Sequence, residues 1–400
     1  MAFPLSLRIA GRYLRGRGSA NAVPLLSRIS MLAIAVVSAA LIVIFSVLNG
    51  FTEVIESTYT AFYPDVRMTP ASGKFFTPRP QLLDSIAHLP GITAVAPVLE
   101  DNALASNDED QIIVTLKGVD SHYFAVNNVK TYIEYGDDTV VDAALPTTLV
   151  GKGIAARLGL DPNNDFSHVQ LHYPNSKSGN LLSNPANAVS SLEARTGGVF
   201  RVQGDFDEQY VLAPLPAVQH LLQEDDRISA IEIKAAGNAE KIKRSLQTLA
   251  GSGFKVETRY EQNHTLYGVM RTEKWATYAI LLFVLLIASV NMIGALALLV
   301  LEKQRDAVIL KAMGARRSTI RNIFLAEGAM WAAIGGGIGL LLGWLVCLAQ
   351  QKFGLVKLGD NFLIKNYPVS MHLSDFVVVM MTVMGVGALA AIYPAAKAGK

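Results

Sequence analysis

Cysteine is almost absent: Cys347 is the only one in 400 residues. A disulfide framework is therefore excluded, and any large domain outside the cytoplasm must be held by its own apolar core. Charge is scarce too, with 17% Asp, Glu, Lys and Arg and a net charge of +2. The basic residues crowd beside apolar runs, which reads as membrane topology and not as a nucleic-acid footprint. Catalytic signatures are missing. "ASGKFF" and "LVGKGI" lack the first glycine and the hydroxyl of a phosphate-binding loop. There is no H-E-x-x-H, no G-x-S-x-G and no Cys/His cluster. Within the apolar runs Asn291 and Glu327 stand almost alone, too few for an ion pathway. The chain reads as neither an enzyme nor a secondary transporter, and as having no cofactor or metal of its own.

Long apolar runs are what the sequence does have. Four reach the roughly 20 residues that a bilayer requires: 29–51, 275–301, 324–349 and 376–396. The first follows Arg8, Arg12, Arg15, Arg17 and Arg28. It is longer than a signal-peptide core and ends in "VLNGF", so a retained anchor is expected. Basic residues flank the spans on one side: those five arginines, then Lys303, Arg305, Lys311, Arg316, Arg317 and Arg321 between the second and third spans, then Lys397 and Lys400. Lys352, Lys357 and Lys365 are more thinly spread. Both termini and the 302–323 loop are thus expected inside, and residues 52–270 outside.

The outer region carries two strand–helix–strand segments. One runs from "DVRMTP" through a helix with Leu82, Leu83, Ile86 and Leu89 to "ITAVAPVLE". The other runs from "ISAIEIKA" through a helix with Ile242, Leu246 and Leu249 to "FKVETRY". Asn238 is the expected N-cap and Gly251 the residue after the second helix. Paired, the two make a split βαβ layer, interrupted by a β-rich insertion at 105–228. The fold class is therefore an α-helical membrane protein with four spans and a large mixed α+β outer domain. Its expected segments are 1–51, 52–270 and 271–400. Residues 174–197 read as a long polar connection, either functional or disordered. His168 and His172 lie on a strand, about 13 Å apart, too far for local metal chelation.

Between spans two and three, no Gly or Pro occurs from Ala295 to Met313. The second span is expected to continue as one helix into the cytoplasm and to stop at Gly314, with Ser318 or Thr319 capping the next. Val308, Leu310, Ala312 and Met313 would form an apolar face beside charges, suited to a soluble partner. In span three, Gly335, Gly339 and Gly343 form a small-residue stripe expected to serve helix packing.

"EKQRDAVILKAMGA" resembles the coupling segment of FtsX/MacB-type ABC transporter permeases. "RYLRGRG" with "SRISMLAIAVVSAALIVIFSVLNGF", "GLVKLGDNFLIKNYPV" and "YPAAKA" resemble lipoprotein-releasing permeases of the LolC/LolE type. That resemblance implies a separate cytoplasmic ABC ATPase dimer, which holds ATP and Mg, and a second permease subunit, identical or homologous. It implies extraction of acylated lipoproteins from the outer leaflet of the inner membrane and delivery to a periplasmic carrier. Glu302, Lys303, Arg305, Asp306, Leu310, Met313 and Gly314 would then couple to the ATPase. Ile44, Val47, Leu48, Phe51, Val269 and Met270, at the outer ends of spans one and two, would form the lipid-access wall. Pro174, Leu181, Leu182 and Pro185 would belong to a carrier-binding loop. The alternatives are an efflux or envelope-signalling permease of the same superfamily, and a membrane-anchored sensor or scaffold without transport.

Overall fold

The computed structural model describes residues 8, 10, 11, 22–107, 110–164, 167–174, 189–358 and 366–398. It divides into two compact units: Met1–Val54 with Gly268–Lys400, and Ile55–Tyr267. Helix α1 (Ala22–Tyr59) carries the first apolar run and continues into the outer unit.

The outer unit holds ten strands: β1 (Val66–Pro70), β2 (Ile92–Ser106), β3 (Gln111–Val119), β4 (Ile133–Gly136), β5 (Thr147–Gly151), β6 (His168–Pro174), β7 (Val189–Phe200), β8 (Tyr210–Pro214), β9 (Ala230–Ala235) and β10 (Phe254–Thr258). Helices α2 (Pro80–Ala87) and α3 (Ala239–Ala250) complete the two strand–helix–strand segments. Their strands lie in the order β10-β1-β9-β2, every pair antiparallel. That interleaving is the split βαβ layer. Both helices pack on one face, where Ile86, Ile242 and Leu246 meet Met68, Ile231 and Val256. Leu249, expected on this face, is exposed. The buried stripe of α3 instead runs from Ile242 through Leu246 towards Ala250 near the helix end. The Asn238 side chain accepts hydrogen bonds from the amides of Glu240 and Lys241 at 3.0 and 3.3 Å, which starts α3.

The β-rich insertion is not a separate body. β2 pairs with β9 through Ile92–Val98 and with β3 from Leu99 onward. One path then continues through β3-β8-β5-β7-β4, and β6 pairs with both β2 and β7. The polar stretch 174–197 is shorter than the sequence suggests. β7 begins at Val189 and pairs with β6 up to Pro174↔Val189. Serines, Glu193 and Thr196 among small apolar residues disguise this strand, whose burial deepens only from Ala194. Residues 175–188, which include Leu181, Leu182 and Pro185, lie outside the described residues.

A charged network fills the centre of the outer sheet. Lys117 Nζ lies 2.7 Å from Glu232 and 3.6 Å from Glu100, and Arg67 pairs with Glu100 at 2.9 Å. Asn127 donates to the second Glu232 oxygen at 2.6 Å. Burial opposes the charge of Glu100, but Lys117 and then Arg67 outweigh it and hold its carboxyl below the usual range.

The membrane unit follows with α4 (His264–Glu302), α5 (Gln304–Ala312), α6 (Arg317–Phe353) and α7 (Leu373–Ala398). Helices α1, α4, α6 and α7 are each long and apolar enough to cross a membrane. Their shared core includes Leu41, Phe45, Met292, Leu296, Trp331 and Val383. Gly335, Gly339 and Gly343 lie against α1. A β-carbon at Gly339 would sit 2.4 Å from the Ala35 carbonyl oxygen. A second small-residue face, unread in the sequence, joins α6 to α7, where a β-carbon at Gly387 would come within 2.3 Å of that of Ala332. Glu327 is fully buried between the helices.

Candidate functional site

The charged segment between the second and third spans forms a three-part elbow. The helix does not run straight through it. α4 ends at Glu302, Lys303 leaves helical geometry at φ −91° and ψ 14°, and α5 starts at Gln304. Lys303 donates its amide to Leu299, and its carbonyl accepts from Ala307, at 3.0 Å each. Hydrogen bonding therefore continues across the break, which explains why neither Gly nor Pro marks it. Lys303 and Asp306 approach to 3.9 Å, a pair worth little energetically at a surface.

α5 stops where the sequence places its end. Gly314 has φ 91°, its amide donates to Lys311, and the Ala315 amide reaches back to Leu310, both at 3.0 Å. These two bonds make a Schellman motif, which requires the left-handed glycine. α6 then begins at Arg317, earlier than Ser318 or Thr319 would cap it. The extended backbone of Arg316 supplies the turn, and its carbonyl accepts from Thr319 at 2.8 Å.

On α5 and its C-cap residue the exposed apolar side chains are Val308, Ile309, Ala312 and Met313, the last 77% accessible. Leu310, expected among them, is half-buried, and Ile309 takes its place. Asp306 in the first turn and Lys311 in the last complement the helix dipole. An isolated helix of 9 residues is marginal in water. This one is held between two spans by its caps and offers an apolar patch among charges.

At the other end of the unit, the residues expected to meet lipid take different environments. Ile44, Val47 and Leu48 are half-buried on α1; on α4, Met270 is half-buried and Val269 exposed. Phe51 does not face outward alone. Its ring meets Tyr367 edge-on at 5.1 Å. The preceding Gly50 allows this approach, because a β-carbon there would lie 2.5 Å from the Pro368 carbonyl carbon. Ser46 accepts the Ser370 amide at 2.8 Å. "SVLNGF" is therefore the socket for the chain that returns to start α7. Asn49 in that motif, buried, joins three helices. Lys274 of α4 donates to its side-chain oxygen at 2.8 Å, and its amide donates to Asp375 of α7 at 2.5 Å. Sequence reasoning missed this junction. Polar residues near the ends of apolar runs were the available signal.

In the outer unit, Pro174 closes β6 beside Val189. The base of that hairpin is fixed by Tyr173, whose hydroxyl donates to Asp101 at 2.8 Å. Burial and then Asp101 push Tyr173 up to about 12. His172 bonds Ser106 and Ser191, while His168 lies 3.3 Å from Glu193. Among the described residues no group of three or more His, Cys, Asp or Glu could hold a metal.

Four apolar helices, a split βαβ outer domain and a capped elbow with an exposed apolar patch define a membrane permease. The chain belongs to the family of the MacB-like periplasmic core domain, whose model matches residues 27–249. The FtsX-like permease C-terminal model matches residues 278–400. The chain is 24% identical to the lipoprotein-releasing system transmembrane protein LolC of Neisseria meningitidis serogroup B, over 100% of this chain and 97% of that protein. It is 23% identical to LolE of Haemophilus influenzae, over 98% of this chain and 96% of that one. The periplasmic region of MacB from Actinobacillus actinomycetemcomitans aligns over 54% of this chain and 98% of its own, at 13% identity and a TM-score of 0.37.

Proposed function

We propose that this chain is the permease subunit of an ABC transporter that extracts acylated lipoproteins from the outer leaflet of the inner membrane and hands them to a periplasmic carrier. The observation that carries this reading is end-to-end similarity to LolC and LolE, through the outer domain and the permease region alike. ATP and Mg belong to a cytoplasmic ATPase dimer, and a second permease, identical or homologous, completes the membrane part.

Arg28, Arg305, Arg316, Arg317, Arg321 and Lys397 set their end of the spans in the cytoplasm. Both termini then lie there, and residues 55–267 are periplasmic. α5 docks on the ATPase through Ile309 and Met313, with Glu302, Lys303, Arg305 and Asp306 as the charged surround and Gly314 setting the turn. Movement of α5 is passed to α4 through the joint at Lys303. α4 and α1 are covalently continuous with the outer unit, so they transmit it outward. Ile44, Val47, Leu48, Val269 and Met270 supply an adaptable apolar wall for acyl chains, and the β6–β7 hairpin engages the carrier.

Proteoliposomes containing the chain, its ATPase and the second permease test this reading when loaded with a triacylated lipoprotein. Release to a soluble carrier is expected only with ATP and Mg. Hydrolysis that exports a small molecule and releases no lipoprotein contradicts it.

A further inference from the structure

Asn291 stands inside the second apolar run, between Trp275 and Leu301. At 1.5 Å per residue it lies about 15 Å from Leu301 and about 24 Å from Trp275 along α4, within the hydrocarbon layer. α4 buries Leu285, Ser289, Met292 and Leu296, and Met292 and Leu296 pack at Gly328 of α6. Asn291 is turned away from that packing and is exposed. Its carboxamide has no hydrogen-bond partner among the described residues. An amide left unpaired in hydrocarbon is costly, and lipid tails supply neither donor nor acceptor. Asn is also too short to reach the headgroups as Lys and Arg do.

Gly294 lies on the same face, three residues further along, and a β-carbon there would meet nothing within 4 Å. Packing inside this chain therefore gives no reason for a residue that weakens a helix interior. A bare backbone beside a carboxamide suits the close approach of another span. Ile280, Phe283, Ile287 and Leu298 recur with Asn291 and Gly294 every three or four residues, and all six are exposed. They make one continuous stripe.

The chemistry of the stripe points to a second copy of the chain. In one bilayer the copy has the same orientation, so its α4 runs parallel to this one. A two-fold axis normal to the membrane then sets like residues opposite each other. A carboxamide carries both N–H donors and an oxygen acceptor, so two of them facing across such an axis satisfy each other reciprocally.

We propose that two copies of the chain pair through this face of α4, with Asn291 bonded to its counterpart and Gly294 at the closest approach. The pairing deepens the reading of a second permease by choosing an identical one and naming its contact. It forms in lipid without ATP, lipoprotein or carrier, so its failure and a failure of lipoprotein transfer are separate results.

Cysteine crosslinking of the full chain in proteoliposomes, in a Cys347→Ala background, tests it across a series of lipid dilutions. Ile287→Cys is expected to give a covalent dimer of twice the chain mass. Leu286→Cys, exposed on another side of α4, is expected to give little. Asn291→Leu or Gly294→Leu, added to Ile287→Cys, should weaken dimerisation about tenfold. Asn291→Gln keeps the carboxamide and should retain most of the dimer, which separates loss of the bond from misfolding. No dimer, equal crosslinking from both cysteines, or native dimerisation in Asn291→Leu overturns the proposal. Equal loss in Asn291→Gln and Asn291→Leu does so too, as does an Ile287→Cys adduct formed in native membranes only with a different protein.

Discussion

Lys274 and Asn49, 225 residues apart in sequence, meet through a 2.8 Å hydrogen bond. Asn49 passes the connection to Asp375, which lies 3.8 Å from Lys274. One buried amide thus holds the same ends of α1, α4 and α7. Asn49→Leu removes both bonds and leaves Lys274 and Asp375 beside an apolar side chain. A loss of about 1–3 kcal/mol is expected, read as a lower unfolding midpoint of the purified protein. An unchanged midpoint would show that the junction is not structural.

The α1–α6 contact depends on bare backbone. Gly339→Leu forces atoms into the space of the Ala35 carbonyl and is expected to destabilise by about 1–3 kcal/mol. Gly337, on the same helix, has nothing within 4 Å of a β-carbon. Gly337→Ala is therefore expected to be neutral or to stabilise by up to about 1 kcal/mol through helix propensity. Equal effects of the two in a thermal melt would refute the packing assignment.

Lys117→Met takes from Glu232 the cation 2.7 Å away and leaves the Asn127 hydrogen bond and the cross-strand Arg67; it is expected to cost about 3–5 kcal/mol, whereas the double variant with Glu232→Met recovers much of that loss. The same network predicts a pH dependence. The folded Glu100 carboxyl titrates below its ordinary value of 4.5, so near that pH the unfolded chain binds more protons. Glu100 contributes stability above that value and loses it as pH falls through the folded value. Outer-domain melts followed by near-ultraviolet circular dichroism should decline on acidification below about 4.5. Glu100→Gln should flatten that decline, and an equal slope in both proteins would exclude the network as its source.

Pro174 and Val189 are already paired, so replacing 175–188 with a two-residue Asn-Gly turn should keep the hairpin. Loss of a carrier crosslink with normal expression is the expected result. A crosslink of wild-type intensity would place carrier binding elsewhere.

The spans and the split βαβ layer were legible because their signals are local: apolar length, helical spacing of Leu83 with Ile86 and of Ile242 with Leu246, and an Asn cap. The end of α5 was legible for the same reason, since only glycine suits the turn at 314. Other features depend on partners distant in sequence. The break at Lys303 carries no Gly or Pro, and β7 hides among polar residues until β6 pairs with it. The continuity of β2 through both halves of the sheet appears only once its partners are placed. "SVLNGF" was visible as a family mark. Its role as a socket was not, because Asp375 lies 326 residues from Asn49.

Met313→Asp puts a charge on the most exposed apolar side chain of the elbow without touching the Gly314 turn. ATP-dependent transfer of lipoprotein to the carrier should be measured for this variant beside the native chain, with the ATPase present in both. Docking should weaken by at least about 2 kcal/mol, roughly 30-fold, and transfer should fall to the level seen without ATP. Native transfer rates from the variant would contradict the assignment of α5 as the coupling element.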